Sequence, residues 1–107
     1  GVQTCALPIL PFVVCGPAVP QGVVRDEFLY LQDVMPTTLQ LAGAAIPDNV
    51  EFRSLLPLLS GANESPWRDA VTGSYMQTQR MITVGTEKLL LYPEIQVSLL
   101  YDLAADP

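Results

Sequence analysis

Asp33-Val34-Met35-Pro36-Thr37-Thr38-Leu39-Gln40-Leu41-Ala42-Gly43 is the stretch on which the fold of this 107-residue chain turns. Asp33 stands where an N-cap is needed, because its carboxylate can accept from the free N–H groups of a first turn. Pro36 falls within that turn, where its missing N–H costs nothing. Gly43 supplies the left-handed residue that stops a helix. The spacing predicts a helix over 34–42. Val34, Thr38 and Leu41 or Ala42 share one face, extended by Met35 and Leu39, so much of the helix should be buried.

The same grammar returns downstream in Ser54-Leu55-Leu56-Pro57-Leu58-Leu59-Ser60-Gly61. Ser54 caps, Pro57 sits in the first turn and Gly61 terminates. A helix of two turns at most is useful only when pinned against a larger core. Leu55, Leu56, Leu58 and Leu59 together bring roughly 6–12 kcal/mol of burial, at about 1.5–3 each, once a partner surface covers them. From Ala70 the pattern changes to strands: Ala70–Met76, Arg80–Val84 and Lys88–Tyr92, the last two joined by a Gly85-Thr86-Glu87 hairpin loop and the last ended by Pro93. Upstream, Leu10–Cys15 is apolar at every position, as in a strand buried on both faces of an α/β sheet. Gly16–Gly22 reads as a loop, and Val23–Tyr30 as a short strand or connector.

Composition sets the outer limits. Half the residues are hydrophobic and 15% are charged, which is the make-up of one globular unit and not of a disordered chain. Five Lys and Arg face 11 Asp and Glu, a net charge of −6. That surface disfavours nucleic acid and anionic membranes as partners. Arg25, Arg53, Arg68, Arg80 and Lys88 are scattered, and no basic patch is legible. No histidine occurs, which removes the commonest general base and metal ligand and any Ser-His or Cys-His nucleophile pair. The longest apolar run, Ala6–Cys15, is broken by Pro8 and Pro11 and is too short to span a bilayer. Cys5 and Cys15 lie in one extended segment that would hold them ~33 Å apart, so no disulfide is expected.

Gly1 through Ile9 matches, residue for residue, the translation of a widely used DNA-sequencing adapter, and is expected to be an artefact outside the fold. Residues 10–107 are then expected to begin within a longer gene.

Candidate chemistry is thin. Cys15-Gly16-Pro17-Ala18-Val19 has a Cys-x-Pro spacing, yet a cysteine buried at a strand end before a turn accounts for it better. Asp26 and Glu27 are adjacent, and in a strand would point to opposite faces. Asp48 with Glu51 belongs to a turn, and Asp102 with Asp106 reads as a turn cap and a solvated acid. Arg80 and Lys88 flank a hairpin and could face an anion, although a solvated strand edge explains them as well. Tyr75, Tyr92, Tyr101 and Trp67 read as satellite core or interface aromatics. Asn63-Glu64-Ser65 fits the N-glycosylation rule.

Taken in order, five motifs resemble the C-terminal part of the sulfatase family. Pro11-Phe12-Val13-Val14 with Gly16-Pro17 is similar to a strand and turn of that family. Val34-Met35-Pro36-Thr37 through Gly43 resembles its D-x-x-P-T-x-L-x-L-A-G helix. Arg53-Ser54-Leu55-Leu56-Pro57-Leu58-Leu59 resembles G-x-S-L-x-P-L-L, with Pro66-Trp67-Arg68 after it. Arg80-Met81-Ile82-Thr83 with Glu87-Lys88-Leu89 resembles a hairpin, and Leu100-Tyr101-Asp102-Leu103 with Asp106-Pro107 resembles E-L-Y-D-L-x-x-D-P. Phe52 in place of glycine, Thr83 in place of arginine and the missing acid before Leu100 are departures that bear on substrate and not on family.

The resemblance implies an α/β fragment: 10–66 as the tail of the main α/β sulfatase domain, and 67–107 as the start of a small subdomain with an antiparallel sheet. It implies a parent that hydrolyses sulfate esters with calcium and a formylglycine, in the periplasm, outside the cell or in lysosomes. In the family's Cys-x-Pro-x-Arg signature the last position is arginine, where Val19 stands here. The family's catalytic and metal residues lie upstream, so none is carried over: no catalytic, metal or substrate-binding residue and no cofactor is assigned to this chain. Its expected partners are the missing N-terminal catalytic part and, for the parent, the sulfate ester. Alone, the chain is expected to be poorly soluble or partly molten. A related phosphodiesterase or phosphotransferase of the alkaline phosphatase superfamily, and a small acidic binding module, are the alternatives.

Overall fold

The computed structural model describes residues 12–61 and 67–105. A 3-10 turn at Leu31–Asp33 runs directly into α1, Val34–Leu41, and a single turn of helix, α2, follows at Leu56–Leu59. Four strands then form one antiparallel sheet: β1 Ala70–Tyr75, β2 Gln79–Val84, β3 Glu87–Tyr92 and β4 Val97–Asp102, neighbours in chain order. Among the described residues no helix is long and apolar enough to cross a membrane.

Helix punctuation follows the expectation at the C-terminal ends. Gly43 and Gly61 both take positive φ, +69° and +79°, where a side chain would be strained. Ser54 Oγ accepts from the Leu56 N–H at 3.3 Å, but the N-cap of α2 is Leu55, one residue later than expected, and no side-chain cap bond forms there. The start of α1 differs. The 3-10 turn already places Asp33 at φ −64°, and no side-chain cap bond forms at α1. The Asp33 carboxylate turns back to the Tyr30 N–H at 2.7 Å instead. The buried face differs too. Asp33, Pro36 and Thr37 are inside, while Thr38, Met35 and Leu41 are exposed. A polar pair at i and i+4 wins the interior because its hydrogen bonds are all satisfied there.

In the sheet, Val84 pairs with Glu87, so the β2–β3 turn is the two residues Gly85-Thr86 and Glu87 belongs to β3. Gly85, at φ +54°, supplies the left-handed conformation that a tight hairpin requires. β4 had no separate signal in the sequence. After Pro93–Ile95 forms a 3-10 turn, Gln96 at φ +53° reverses the chain, and Val97 comes to lie opposite Tyr92.

Two small cores result. Leu55, Leu58 and Trp67 are buried together, with Leu29 and Leu59 packed against them. Leu90, on interior strand β3, is buried separately in the sheet. The strand expected at 10–15 is absent where it can be judged: Phe12–Cys15 has no regular structure, and residues 10 and 11 lie outside the described part. A strand apolar on both sides needs paired neighbours and cover on two faces. The four-stranded sheet pairs only consecutive strands and reaches neither. Gly16–Gly22 is a loop and Val23–Tyr30 a connector without strand pairing.

Candidate functional site

The most elaborate polar arrangement is built around Asp33, which is completely buried. Its carboxylate accepts four hydrogen bonds: from the Tyr30 N–H at 2.7 Å, the Arg53 N–H at 3.1 Å, and Arg68 Nη1 and Nη2 at 2.8 and 3.0 Å. The Arg68 pairing is the two-pronged geometry that a planar guanidinium offers a carboxylate. Arg68 also donates to the Phe28 carbonyl at 3.1 Å, and its guanidinium carbon lies 4.6 Å from the centre of the Tyr30 ring. Arg53 Nη1 reaches the Trp67 carbonyl at 2.6 Å. Thr37 continues the network, donating to the Asp33 carbonyl at 2.6 Å and accepting the Leu55 N–H at 2.8 Å. One carboxylate thereby ties the entry to α1, the entry to α2 and the segment leading into β1.

Burial would push the Asp33 carboxyl up, but the Arg68 hydrogen bonds, the Tyr30 and Arg53 N–H groups and the Arg68 charge together hold it below the ordinary value of 3.8. The same bonds raise Arg68 above its ordinary value, against the opposing effect of burial. An ionised carboxylate with every near partner occupied is a poor proton acceptor. Asp33 therefore acts as a latch and not as a general base.

Next to the latch is an open cleft of about 970 Å³ between the helical segment and the sheet, lined by Tyr30, Phe52, Arg53, Arg68, Arg80 and Leu89 among others. The Tyr30 hydroxyl spans it, accepting the Thr72 N–H of β1 at 2.6 Å, and its ring meets Phe52 edge-on at 5.8 Å. Three of the five cations, scattered along the sequence, line this one cleft. Arg68 is neutralised by Asp33; among the described residues Arg53 and Arg80 pair with no carboxylate. Both donate to backbone carbonyls instead, and Glu51 shares the lining, so the cleft is not strongly basic.

The other candidates do not converge. Cys15 is exposed and not buried at a strand end. Glu27 pairs with Arg25 at 3.4 Å, and Asp26 is exposed. Asp48 is exposed within a turn closed by the Val50 N–H on the Pro47 carbonyl, as expected, while Glu51 lines the cleft. Asp102 Oδ1 accepts the Ala104 N–H at 2.9 Å, a turn bond; Asp106 and Asn63-Glu64-Ser65 lie outside the described residues. Arg80 and Lys88 occupy interior strands and not an edge. Because Arg80 stands opposite Leu91 and Lys88 opposite Thr83, they project from opposite faces. Trp67 is a core residue, whereas Tyr75 is 63% exposed. Among the described residues no three His, Cys, Asp or Glu side chains gather as a metal site would require.

The residue that the motifs left without a role is Tyr30. No local spacing reveals it, since its partners Arg68 and Thr72 stand 38 and 42 positions away. A family model described as N-sulphoglucosamine sulphohydrolase, C-terminal, matches residues 8–107. The chain belongs to this sulfatase family. It is 37% identical over 90 residues to an arylsulfatase of Clostridium perfringens, covering 81% of this chain and 18% of that enzyme. It is 34% identical over 56 residues to the extracellular sulfatase SULF-1 homolog of Drosophila melanogaster, covering 52% of this chain and 5% of that protein. The solved structure of a 2-O GAG sulfatase superposes with a TM-score of 0.69 at 28% identity, covering 86% of this chain and 22% of the other. The chain thus spans less than a quarter of the length of each of these relatives. Its antiparallel sheet and short helices are the α/β architecture of the C-terminal sulfatase region.

Proposed function

We propose that this chain is the supporting C-terminal flank of an enzyme that hydrolyses sulfate esters, and that it braces the catalytic portion without performing the chemistry. The observation that carries this is the family match over nearly the whole described chain, joined to a polar centre built for rigidity and not for proton transfer. Residues 10–66 would continue the main α/β domain, and 67–107 would open the small C-terminal subdomain. The Asp33–Arg68 pair would then fasten one to the other.

Sulfatase chemistry is associated with calcium and a formylglycine. Neither fits the residues present. No acidic cluster is assembled among the described residues, and Cys15 is exposed with Val19 where the formylglycine signature carries arginine. Both groups would belong to the preceding portion. What these residues supply is shape: Asp33 fixes Arg68, Arg68 holds the Tyr30 ring, and Tyr30 sets the width of the cleft against β1. An extracellular relative supports a whole protein working outside the cytoplasm, in periplasm, medium or lysosome.

The test is to recover the gene upstream of residue 10 and compare the longer protein with this chain on an aryl sulfate. Turnover by the longer protein, with a Cys- or Ser-x-Pro-x-Arg signature upstream and none by this chain, is expected. Turnover by this chain alone, or an upstream region without the signature and without sulfatase activity, overturns the proposal.

A further inference from the structure

The two edges of the sheet are finished differently. On β1, the Tyr30 hydroxyl accepts the Thr72 N–H at 2.6 Å and lies 3.2 Å from Thr72 Oγ1, so that edge is partly closed. On β4, no strand pairs with the outer side among the described residues. Main-chain groups of an antiparallel ladder turn to alternate sides along each strand. With the Thr72 N–H outward, the register turns Arg80, Ile82 and Val84 to β3, and then Lys88, Leu90 and Tyr92 to Tyr101, Leu99 and Val97 of β4. The Leu103 N–H on the Thr86 carbonyl, at 2.7 Å, continues that alternation. Ser98, Leu100 and the Asp102 N–H are left on the open edge, while the Asp102 carbonyl takes the Ala105 N–H at 3.2 Å. The side chains there are apolar and in water: Leu100 is 70% exposed, and Val97, Leu99 and Tyr101 are exposed as well. β4 holds no proline, no lysine and no bulge, the devices that keep an edge from pairing.

We propose that the outer edge of β4 pairs antiparallel with β4 of a second copy of this chain about a two-fold axis, Leu100 opposite the partner's Leu100, so that two four-stranded sheets become one. The inference goes beyond the function proposed above and does not rest on it. Two observations select a second copy. The first is that the edge is complementary to itself. A two-fold axis normal to the sheet keeps each face continuous, so residues that meet must project to the same side. With Leu100 on the axis, the outward main-chain groups of Ser98, Leu100 and Asp102 meet those of the partner's Asp102, Leu100 and Ser98, which is how strand addition satisfies an edge. The side chains then match: leucine meets leucine, Leu99 meets the partner's Tyr101, and the Ser98 hydroxyl faces the partner's Asp102 carboxylate. The second is charge. At a net −6 the copies repel over most of their surface, yet β4 carries a single charge, Asp102, at its end. The pairing leaves the two Asp102 carboxylates at opposite ends of the joined strands, where water and salt screen them.

The test is sedimentation of this chain, carrying Cys5→Ser and Cys15→Ser, over a range of concentrations. A monomer–dimer equilibrium is expected. Leu100→Lys sets like charges opposite one another and should raise the dimer dissociation constant about tenfold or more, with circular dichroism unchanged. Ser98→Asp, facing the partner's Asp102, should weaken the dimer severalfold, and Ser98→Lys should tighten it. Met76→Lys, at an exposed hairpin tip, should change nothing. Single cysteines read the register: Leu100→Cys should form a disulfide-linked dimer about tenfold faster than Ser98→Cys or Met76→Cys, because only the residue on the axis meets its own copy at disulfide distance. A monomer at every concentration overturns the proposal, as does a dimer indifferent to Leu100→Lys or one dissolved by Val13→Asp instead. If larger assemblies obscure the dimer, the cysteines decide: preferential linking through Leu100→Cys supports the pairing, and equal linking at the three positions overturns it.

Discussion

The surroundings of Asp33 and the segment 12–24 solve opposite problems. Around Asp33, a charge that is costly to remove from water is fully buried, and every near donor it needs comes from within the chain. In 12–24, side chains that gain by leaving water remain in it, because nothing among the described residues covers them. The hydrogen bonding of this carboxylate is complete where apolar closure of 12–24 is not. A network of directional bonds can be satisfied by a few residues brought from far along the sequence. A strand buried on both faces needs whole neighbouring elements.

Removing the carboxylate should break this contrast most severely. Asp33→Ala leaves the Arg68 guanidinium, only 12% exposed, without its partner, and frees two backbone N–H groups. A loss of about 3–5 kcal/mol is expected, read in urea from the emission of buried Trp67. Leu58→Ala, in the small core beneath the same region, should cost about 2–5 kcal/mol by leaving a cavity. Thr37→Val keeps the volume but strands the Leu55 N–H, and should cost about 1–3 kcal/mol.

Acid sharpens the comparison. Because the folded Asp33 carboxyl lies below its ordinary 3.8, its stabilisation is complete above that pH and is lost as pH falls through the lowered folded value. Acid unfolding followed by the emission of buried Trp67 should show this leg, and Asp33→Asn should lack it. The smallest effect belongs to the other region: Val13→Asp in the chain alone should shift urea stability by no more than about 0.5 kcal/mol. A large loss there would mean that the segment is already packed, and the contrast would disappear.

Much of this organisation was legible in advance wherever it is local. Gly43, Gly61 and Gly85 announce left-handed positions, and Ser54 announces the start of α2 to within a residue. The strands β1 to β3 follow from short apolar or β-branched runs between turn residues. Asp33 was legible as a helix-start residue but not as the centre of the latch, because Arg53 and Arg68 stand 20 and 35 positions away. Likewise, five cations scattered in sequence gave no hint that three share one cleft. β4 went unseen because its reversal depends on Gln96 adopting a conformation that glycine or asparagine would have advertised. The stretch Phe12–Cys15 was read as a buried strand from its composition, and composition reports what a segment requires, not whether the requirement is met.

Residue order alone determined the family, the short helices and three of the four strands, since each rests on side chains within a turn or two of one another. Tertiary structure decided which face of α1 is inside, which arginine holds Asp33, where the cleft opens and which apolar surface is left uncovered. Those outcomes depend on distances between segments far apart in the chain, and such distances are set only when the segments pack.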